Sequence, residues 1–232
     1  MFNLLTASVF AVLGLIAGFF SLRIAKKQIE SRVEKIPELK EFNPSLLEKK
    51  WVPCIWIISF ACVYVLAVFR CSNIVALIYA AVFIFCVYNI AAVDLAIRRI
   101  PNELLLTLLV SSLVKDIAEP IINKSYSDIK SNLIYALIGI VGGFILYIIP
   151  SRFGVYIGNG DIKLSAVIGF SLGIVGYVQA MLIMALIMLV YLIILLITKK
   201  GGLKTKAPMG PSFAIGAVAT LLFPILQGQM NF

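Results

Sequence analysis

The sequence predicts an all-α integral membrane protein, a polytopic bundle of about eight transmembrane helices joined by short loops. Of the 232 residues, 62% are hydrophobic and only 13% are charged, and the mean hydropathy is +1.05. Soluble domains are nearer half apolar and a quarter charged, so an ordinary globular fold is excluded. Long uncharged apolar runs recur along the chain. Such runs favour spanning helices over the alternating pattern of an outer-membrane barrel.

The apolar runs also place the individual spans. The fourth run carries charges near its ends, and the sixth is short and rich in glycine. A helix needs about 20 apolar residues to cross a bilayer, and the other runs approach or exceed that length. We predict spans at about 4–22, 52–69, 74–97, 102–119, 131–149, 162–176, 177–198 and 208–226.

The basic residues predict the orientation. If the amino terminus lies outside the cell, 16 of the 20 Lys and Arg residues fall in the inner stretches 23–50, 98–101, 150–163 and 199–207. Cytoplasmic loops of membrane proteins carry such an excess. We therefore expect a multi-pass protein of the plasma membrane with both termini outside. Topology accounts for the formal net charge of +9, and we expect no nucleic-acid partner.

Two absences narrow the chemistry. The chain has no histidine, which excludes Ser-His and Cys-His hydrolases and histidine proton relays. Its four cysteines form no CxxC pair and lie in or beside apolar runs, so we interpret them as small core residues. We expect no metal site, no cofactor and no disulfide framework. The cysteines are Cys54, Cys62, Cys71 and Cys86.

Three acidic residues fall outside the charged loop 26–50 and the predicted outer stretch 116–128. Glu103 follows Pro101-Asn102 at a predicted helix start, where an acid favours the helix dipole. Asp94 and Asp161 are embedded in apolar sequence near inner helix ends, where an ionisable group is costly and is a functional candidate. A structural interpretation remains open for each of the two: an ion pair with Arg98 for Asp94, and a helix N-cap for Asp161.

Asp94 and Asp161 are predicted on the same side of the membrane at similar depth. Two carboxyl groups that converge share one proton, so one can deprotonate a water while the other hydrogen-bonds a carbonyl oxygen. This chemistry hydrolyses a peptide bond without histidine or metal. Gly158 and Gly160 beside Asp161 would let the backbone approach an extended substrate closely.

At these residues the sequence resembles the type IV prepilin peptidases and archaeal preflagellin peptidases, membrane aspartic proteases of the GxGD type. Residues 158–164, GNGDIKL, with Ala166 and Gly169, are similar to the family's GxGDxKLxAxxG segment. Asp94-Leu95 with 100–102, IPN, resembles the first-aspartate segment, and 208–216, PMGPSFAIG, resembles a late P-F-G-P-x-L-A-x-G segment. The three segments occur in family order, over roughly residues 75–226.

The resemblance implies that Asp94 and Asp161 are the catalytic pair of an aspartic endopeptidase. The enzyme would remove short basic leader peptides from pilin-like or archaellin-like precursors at the cytoplasmic face. We divide the chain into an N-terminal part, 1–73, with two helices and loop 26–50, and a peptidase core, 74–232, with about six helices. The matched segments also indicate residues that would contact the substrate or support the loops around it. These are Gly158, Gly160, Lys163, Pro101, Asn102, Pro208, Gly210 and Pro211.

The chain departs from the family in its first loop. Bacterial members often carry a paired-CxxC zinc loop there, linked to methylation of the new amino terminus, whereas loop 26–50 has no cysteine. We therefore expect cleavage without N-methylation, and an amphipathic connection broken at Pro37 and Pro44. Short archaeal members begin close to the first aspartate segment, so the chain matches neither subtype.

Two other classes of membrane protein also use aspartates in this setting. Presenilin-type GxGD proteases place a tyrosine before the first aspartate and Pro-Ala-Leu near the end, whereas this chain has Val93 and no such tripeptide. An ion- or proton-coupled transporter could use Asp94 and Asp161 as a cation site beside glycine-broken helices. Such transporters usually show inverted repeats, and none is visible in the sequence.

Overall fold

The computed structural model describes residues 4–36, 38–39, 44–153, 157–199 and 208–228. Among these residues the regular elements are helices and there is no strand, so the all-α prediction is confirmed. A short 3-10 helix, Pro44–Glu48, precedes the second helix, and a single turn, Ile225–Gly228, follows the last long one. The main helices are α1 Leu4–Lys35, α2 Val52–Arg70, α3 Ile74–Ile97, α4 Asn102–Ile122, α5 Ser127–Arg152, α6 Asn159–Ile197 and α7 Gly210–Leu222.

Five of these helices, α1, α2, α3, α5 and α6, are long and apolar enough to cross a membrane, and the protein is a multi-pass membrane protein. Helix α7 is apolar but shorter. Helix α4 is not among the five, and its charged residues include Glu103, Lys115 and Asp116. The number of segments that cross the bilayer, about eight from the sequence, stays a prediction.

The long segment α6 contains a reversal of the chain at Gly173. This glycine has φ +67° and ψ 171°, which no helix accommodates. The side chains of Ser165 and Tyr177 hydrogen-bond at 2.6 Å, although in a straight helix their Cα atoms would lie about 18 Å apart. We therefore describe α6 as an antiparallel hairpin of 159–172 (α6a) and 174–197 (α6b). The sequence predicts two separate spans here, with the boundary between residues 176 and 177, three residues beyond the observed turn.

Helix α1 is longer than the predicted span. At 1.5 Å per residue its length is about 48 Å, well above the ~30 Å of a hydrocarbon core, so it continues as a helix into the predicted loop 26–50. Leu39 and Leu47 of this loop are buried in a cluster with Ile29 of α1 and Val93 and Ile97 of α3. The expected break at Pro44 coincides with the start of the 3-10 helix. The break at Pro37 lies outside the described residues, as do Lys40 and Lys200 to Lys206.

Helix α3 lies at the centre of the bundle. More than half of its apolar window (56%) is buried inside the protein, against 22% for each of α1, α2 and α5. The outer helices instead turn large apolar side chains outward, for example Leu66, Phe69, Ile138 and Leu186. In a membrane protein this exposed apolar surface faces lipid. The prediction that all four cysteines are core residues is wrong, because Cys86 is buried but Cys54 and Cys62 are exposed on α2.

Glycines bring α5 and α6a into backbone contact. A Cβ atom on Gly139 would overlap the carbonyl group of Gly169, and one on Gly143 would lie 2.5 Å from the carbonyl oxygen of Ser165. The Ser165 hydroxyl also donates to the Gly143 carbonyl at 2.8 Å. Small residues permit such approach in bilayers, where van der Waals packing and interhelical hydrogen bonds replace the hydrophobic effect.

We expect Gly139→Ala to destabilise the bundle, because its methyl group would meet backbone of α6a that cannot rotate away. Overpacking of this kind costs about 1–3 kcal/mol. The matched control is Gly142→Ala, whose methyl group would meet only the flexible end of Ile174. Thermal unfolding in detergent should show a clearly lower midpoint for Gly139→Ala alone. Equal midpoints for the two variants would contradict the assignment of this contact.

Candidate functional site

Asp94 lies in the last turns of α3 and is 5% exposed. Its carboxylate oxygen Oδ2 accepts a hydrogen bond from the backbone N–H of Gly210 at 2.8 Å, across 116 residues of sequence. Arg98, four residues further on, interacts electrostatically with the carboxylate, in keeping with the alternative of an ion pair. The backbone of Arg98 closes α3 in a left-handed conformation, with its N–H bonded to the Asp94 carbonyl oxygen.

The Gly210 contact requires a residue without a side chain. A Cβ atom at this position would lie 2.7 Å from Oδ2 and 2.8 Å from the Cβ of Asp94. Gly210 is the first residue of α7, whose first N–H groups have no acceptor within the helix and are free to bind an anion. Pro211 follows in the first turn, where its missing N–H costs nothing, and Pro208 lies just before the helix.

Asp161 lies in the first turn of α6 and is partly exposed. The helix begins at Asn159 with Gly158 as its N-cap, so the expectation of Asp161 as the N-cap is wrong by three residues. The carboxylate instead takes a backbone hydrogen bond from Gly158, the geometry of a capping box. A Cβ atom on Gly158 would lie 3.0 Å from the Asp161 Oδ2, a tight contact that the carboxylate would have to shift to relieve.

The two aspartates lie close enough at the same end of the bundle for their charges to interact. We call this the carboxylate end; it comprises the end of α3 and the starts of α4, α6 and α7. Tyr147 of α5, 6% exposed, is also close enough to interact electrostatically with Asp161, and its hydroxyl contacts the sulfur of Met184. Sequence reasoning missed Tyr147, because a tyrosine within an apolar run gives no signal of its own.

The segment between α3 and α4 completes this end. A Cβ atom on Gly160 would lie 3.3 Å from the Ile100 side chain, so the glycine lets the start of α6 pack on that segment. Lys163 is exposed, and its Nζ lies 3.4 Å from Oδ1 of Asn102, a long contact between the two segments. Pro101 is the N-cap residue of α4 and is buried. These supporting residues therefore lie at the carboxylate end.

Glu103 lies in a different environment from Asp94 and Asp161. Its side chain is 73% exposed and forms an ion pair at 3.0 Å with Arg32 of the α1 extension. It lies in the first turn of α4, where an acid favours the helix dipole, as the structural interpretation expected. Asp116 falls in the predicted outer stretch 116–128, at the end of the predicted span 102–119. The structure shows it 5% exposed within α4 and paired with Lys115 at 2.8 Å.

The arrangement at the carboxylate end suits acid–base chemistry. Two carboxyl groups in unlike surroundings share one small region: Asp94 is bonded to the start of another helix and Asp161 to the start of its own. Unlike surroundings separate the affinities of two carboxyl groups for the proton they share, which gives each a distinct role.

Comparisons with known proteins bear on this site. The sequence profile of the type IV leader peptidase family matches residues 78–193, which is 116 of the 232 residues and includes both aspartates. The chain is also similar to a prepilin leader peptidase/N-methyltransferase of Bacillus subtilis (strain 168), with 29% identity over 164 residues. That alignment covers 70% of this chain and 62% of the relative, so the chain spans less than two thirds of the relative's length. No solved structure matches the chain significantly.

Proposed function

The chain belongs to the type IV leader peptidase family, and we propose that it is an aspartic endopeptidase that removes the short basic leader peptide from type IV prepilin-like or preflagellin precursors. The observation that carries the proposal is the meeting of Asp94 and Asp161 at one end of a membrane bundle, with the Gly210 N–H bonded to Asp94. Both aspartates lie within the part of the chain that the family profile matches.

In the proposed reaction one carboxylate removes a proton from water, and the oxygen of that water attacks the scissile carbonyl carbon. The other carboxyl group, protonated, donates a hydrogen bond to the carbonyl oxygen as negative charge develops there. When the tetrahedral intermediate breaks down, the C–N bond is cleaved and the leaving amine takes up a proton. The reaction consumes one water and needs no cofactor.

The substrate class rests on the relative, whose name gives it a prepilin leader as its substrate. A leader peptide that reaches the cytoplasmic membrane surface would meet the carboxylate end, if that end faces inward as the basic residues predict. We propose the peptidase core as 74–232. The N-terminal part, 1–73, supports the core through Leu39 and Leu47, which pack beside Val93 next to the first aspartate.

The transporter interpretation is weaker in this geometry. A glycine-broken helix binds ions when the break lies beside the acidic residues. Here the break at Gly173 is twelve residues from Asp161 along α6a, about 18 Å by helix rise. Family membership also favours the peptidase.

We expect Asp94→Asn and Asp161→Asn each to lower cleavage of a prepilin-type precursor by at least about 10³-fold, because both roles need a carboxyl group that titrates. The purified protein in detergent would be incubated with the precursor and the products separated on a gel. Lys163→Ala should have a smaller effect, since its ammonium group is exposed and makes one long contact.

Glu103→Gln is the matched control for the aspartate variants. It removes a carboxylate at the same end of the bundle, but one that is largely exposed and outside the pair. Its cleavage rate should stay within about twofold of the unaltered protein. Substantial turnover by Asp94→Asn, with a loss of activity in Glu103→Gln, would show that the pair is wrongly assigned.

Gly210→Ala tests the positioning of Asp94. The methyl group would push the carboxylate from its place, so we expect kcat to fall by about 10²-fold while KM changes little. Gly142→Ala, whose methyl group would meet only the flexible end of Ile174, should leave kcat unchanged. A loss of kcat in Gly210→Ala with an unchanged unfolding midpoint would support positioning, and an unchanged kcat would refute it.

The proposed orientation puts the carboxylate end in the cytoplasm. In a background where the four cysteines are replaced by alanine, we expect Ser125→Cys to react with an impermeant maleimide added to intact cells. Glu48→Cys should react only after the cells are opened, because 23–50 lies inside in the proposed topology. The reverse labelling pattern would overturn the orientation and, with it, the cytoplasmic site.

We also propose that the enzyme cleaves without methylating. The resemblance to the family implies that bifunctional members order the first loop with a zinc held by cysteines, whereas loop 26–50 lacks both cysteine and histidine. The described part of this loop is held instead by the buried side chains Leu39 and Leu47.

Mass spectrometry of a processed precursor should therefore show a free amino terminus even when S-adenosylmethionine is present. The matched sample omits the methyl donor, and the two product masses should agree. An added methyl group that depended on both this protein and the methyl donor would refute the proposal.

A further inference from the structure

A second polar site lies at the end of the bundle opposite the aspartates. A cavity of about 390 Å³ opens there between the ends of α2, α4 and α7 and the starts of α3 and α5. Tyr79, which lines it, precedes Asp94 by fifteen residues on α3, so the two sites are about 22 Å apart along that helix. The peptidase proposed above makes no use of this cavity.

Charged side chains in the wall give the cavity a positive balance. Lys115 and Asp116 form an ion pair at 2.8 Å, with Asp116 5% exposed. Arg70, at the end of α2, lies over the ring of Phe223 and also lines the cavity. The residues that line the cavity thus carry two cations and one carboxylate, which favours an anionic ligand; Glu119, which interacts electrostatically with Asp116 and Cys71, does not line the cavity. The predicted topology puts Arg70, Lys115 and Asp116 on the outer side of the membrane.

The chain reversal in α6 adds a second source of positive potential. Residues 170–175 line the cavity, and α6b begins at Ile174, directly after Gly173. The first N–H groups of a helix have no acceptor within it and carry the positive end of its dipole. Broken backbone at membrane depth is tolerated where it lines a polar cavity, and half-helix starts of this kind bind anionic groups in other membrane proteins.

A residue in the wall of the same cavity carries a buried hydroxyl group without a partner. Thr220 of α7 is 1% exposed and lines the wall, and its Oγ1 has no hydrogen-bond partner among the described residues. A buried hydroxyl left unsatisfied costs free energy, so its position is explained if a ligand bonds to it.

The other residues that line the cavity carry no charge. The Tyr79 hydroxyl hydrogen-bonds Ser112 and the Ser171 carbonyl, both at 3.1 Å. Burial, with the Glu119 carboxylate nearby, raises the pKa of the Cys71 thiol to about 11, so the thiol stays neutral at physiological pH. Glu119 itself accepts a hydrogen bond from Asn73 at 2.7 Å.

We propose that this cavity binds a phosphate group, either the headgroup phosphate of an anionic phospholipid or free inorganic phosphate, held by Arg70, Lys115, the Thr220 hydroxyl and the first N–H groups of α6b. The volume lies within the range of small-ligand sites, about 300–1,000 Å³. The ligand would fasten the turn of the α6 hairpin to α4 and α7 and stabilise the bundle from the end opposite the aspartates.

The test uses native mass spectrometry of the full-length protein after delipidation in detergent. Dioleoylphosphatidylglycerol is added to one sample and dioleoylglycerol, which has the same chains and no phosphate, to another. We expect the phospholipid to be retained at least about fivefold better than the diacylglycerol. A third arm adds inorganic phosphate alone and measures the thermal unfolding midpoint. Phosphate that raises the midpoint and displaces the phospholipid identifies the free ion as a competent ligand; retention that phosphate does not displace identifies the lipid.

Arg70→Gln and Thr220→Val are the informative variants. Arg70 is exposed, so its loss should not prevent folding, but binding should weaken about tenfold with the loss of a charge-assisted contact. Thr220→Val should raise the unfolding midpoint of the ligand-free protein, since it removes an unsatisfied hydroxyl, and yet weaken binding about threefold. Lys130→Gln is the control, because it removes an exposed cation from the same side without lining the cavity.

Equal retention of the phospholipid and the diacylglycerol, with no effect of inorganic phosphate on the midpoint, would overturn the proposal. Phospholipid binding by Arg70→Gln and Thr220→Val equal to that of Lys130→Gln would also overturn it. Cleavage activity enters neither result, so this proposal and the proposed peptidase can fail separately.

Discussion

The close approach of α5 and α6a determines the rest of the arrangement. Lipid chains are as apolar as the helices, so burial of apolar surface does not hold a membrane bundle together, and contact distance decides the packing. At Gly139 and Gly143 the two backbones touch, with the Ser165 hydroxyl bonded across the contact. This contact fixes the height and rotation of α6a, and therefore the position of Asp161 at its start. Any larger residue at the crossing would move that carboxylate relative to Asp94.

The hairpin at Gly173 extends the effect of this contact to both ends of the bundle. The segment α6a is about 20 Å long, which is shorter than a hydrocarbon core. Its turn at Gly173 therefore stops short of the membrane surface on the side opposite the aspartates, and the cavity lies at this turn. The second segment, α6b, runs back toward the carboxylate end and packs on α7. A Cβ atom on Gly216 of α7 would lie 2.5 Å from the carbonyl oxygen of Ala180 on α6b. Through α7, this segment places Gly210 against Asp94. One helix hairpin thus links the aspartate pair to the polar cavity.

Acidic residues in this protein illustrate how a membrane bundle treats charge. Asp94, Asp161 and Asp116 are buried or partly buried, and each has a named partner: the Gly210 N–H, the Gly158 backbone and Lys115. Glu103 is exposed and pairs with Arg32 on the surface. Charges within a bundle are tolerated where such partners replace water. Asp116 forms an ion pair with a lysine side chain, whereas Asp94 and Asp161 accept hydrogen bonds from backbone N–H groups, and Arg98 is also close enough to Asp94 to interact with it electrostatically.

The sequence by itself determined the fold class, most of the helix positions and the two candidate carboxylates. An apolar run long enough to cross a bilayer as a helix has few other stable conformations. An aspartate within such a run is costly, which makes it a candidate functional residue. Helix α3 matches its predicted bounds, 74–97, at both ends. The family segments around 94, 158 and 208 converge at one end of the bundle, as expected from a topology that puts each of them at an inner helix end.

Only the tertiary structure decided which faces of the helices meet. An apolar run has the same composition on its lipid-facing and protein-facing sides, so Cys62 on the exposed face of α2 could not be told from the buried Cys86. For the same reason Tyr147, the Gly210 contact and the burial of Asp116 gave no signal, because each depends on a partner far away in sequence. The reversal at Gly173 depends on a single backbone angle, which glycine permits but does not require. The composition of a helix indicates whether lipid or water surrounds it. Which residues of two helices contact each other depends on the positions and rotations of the helices, which exist only in the folded bundle.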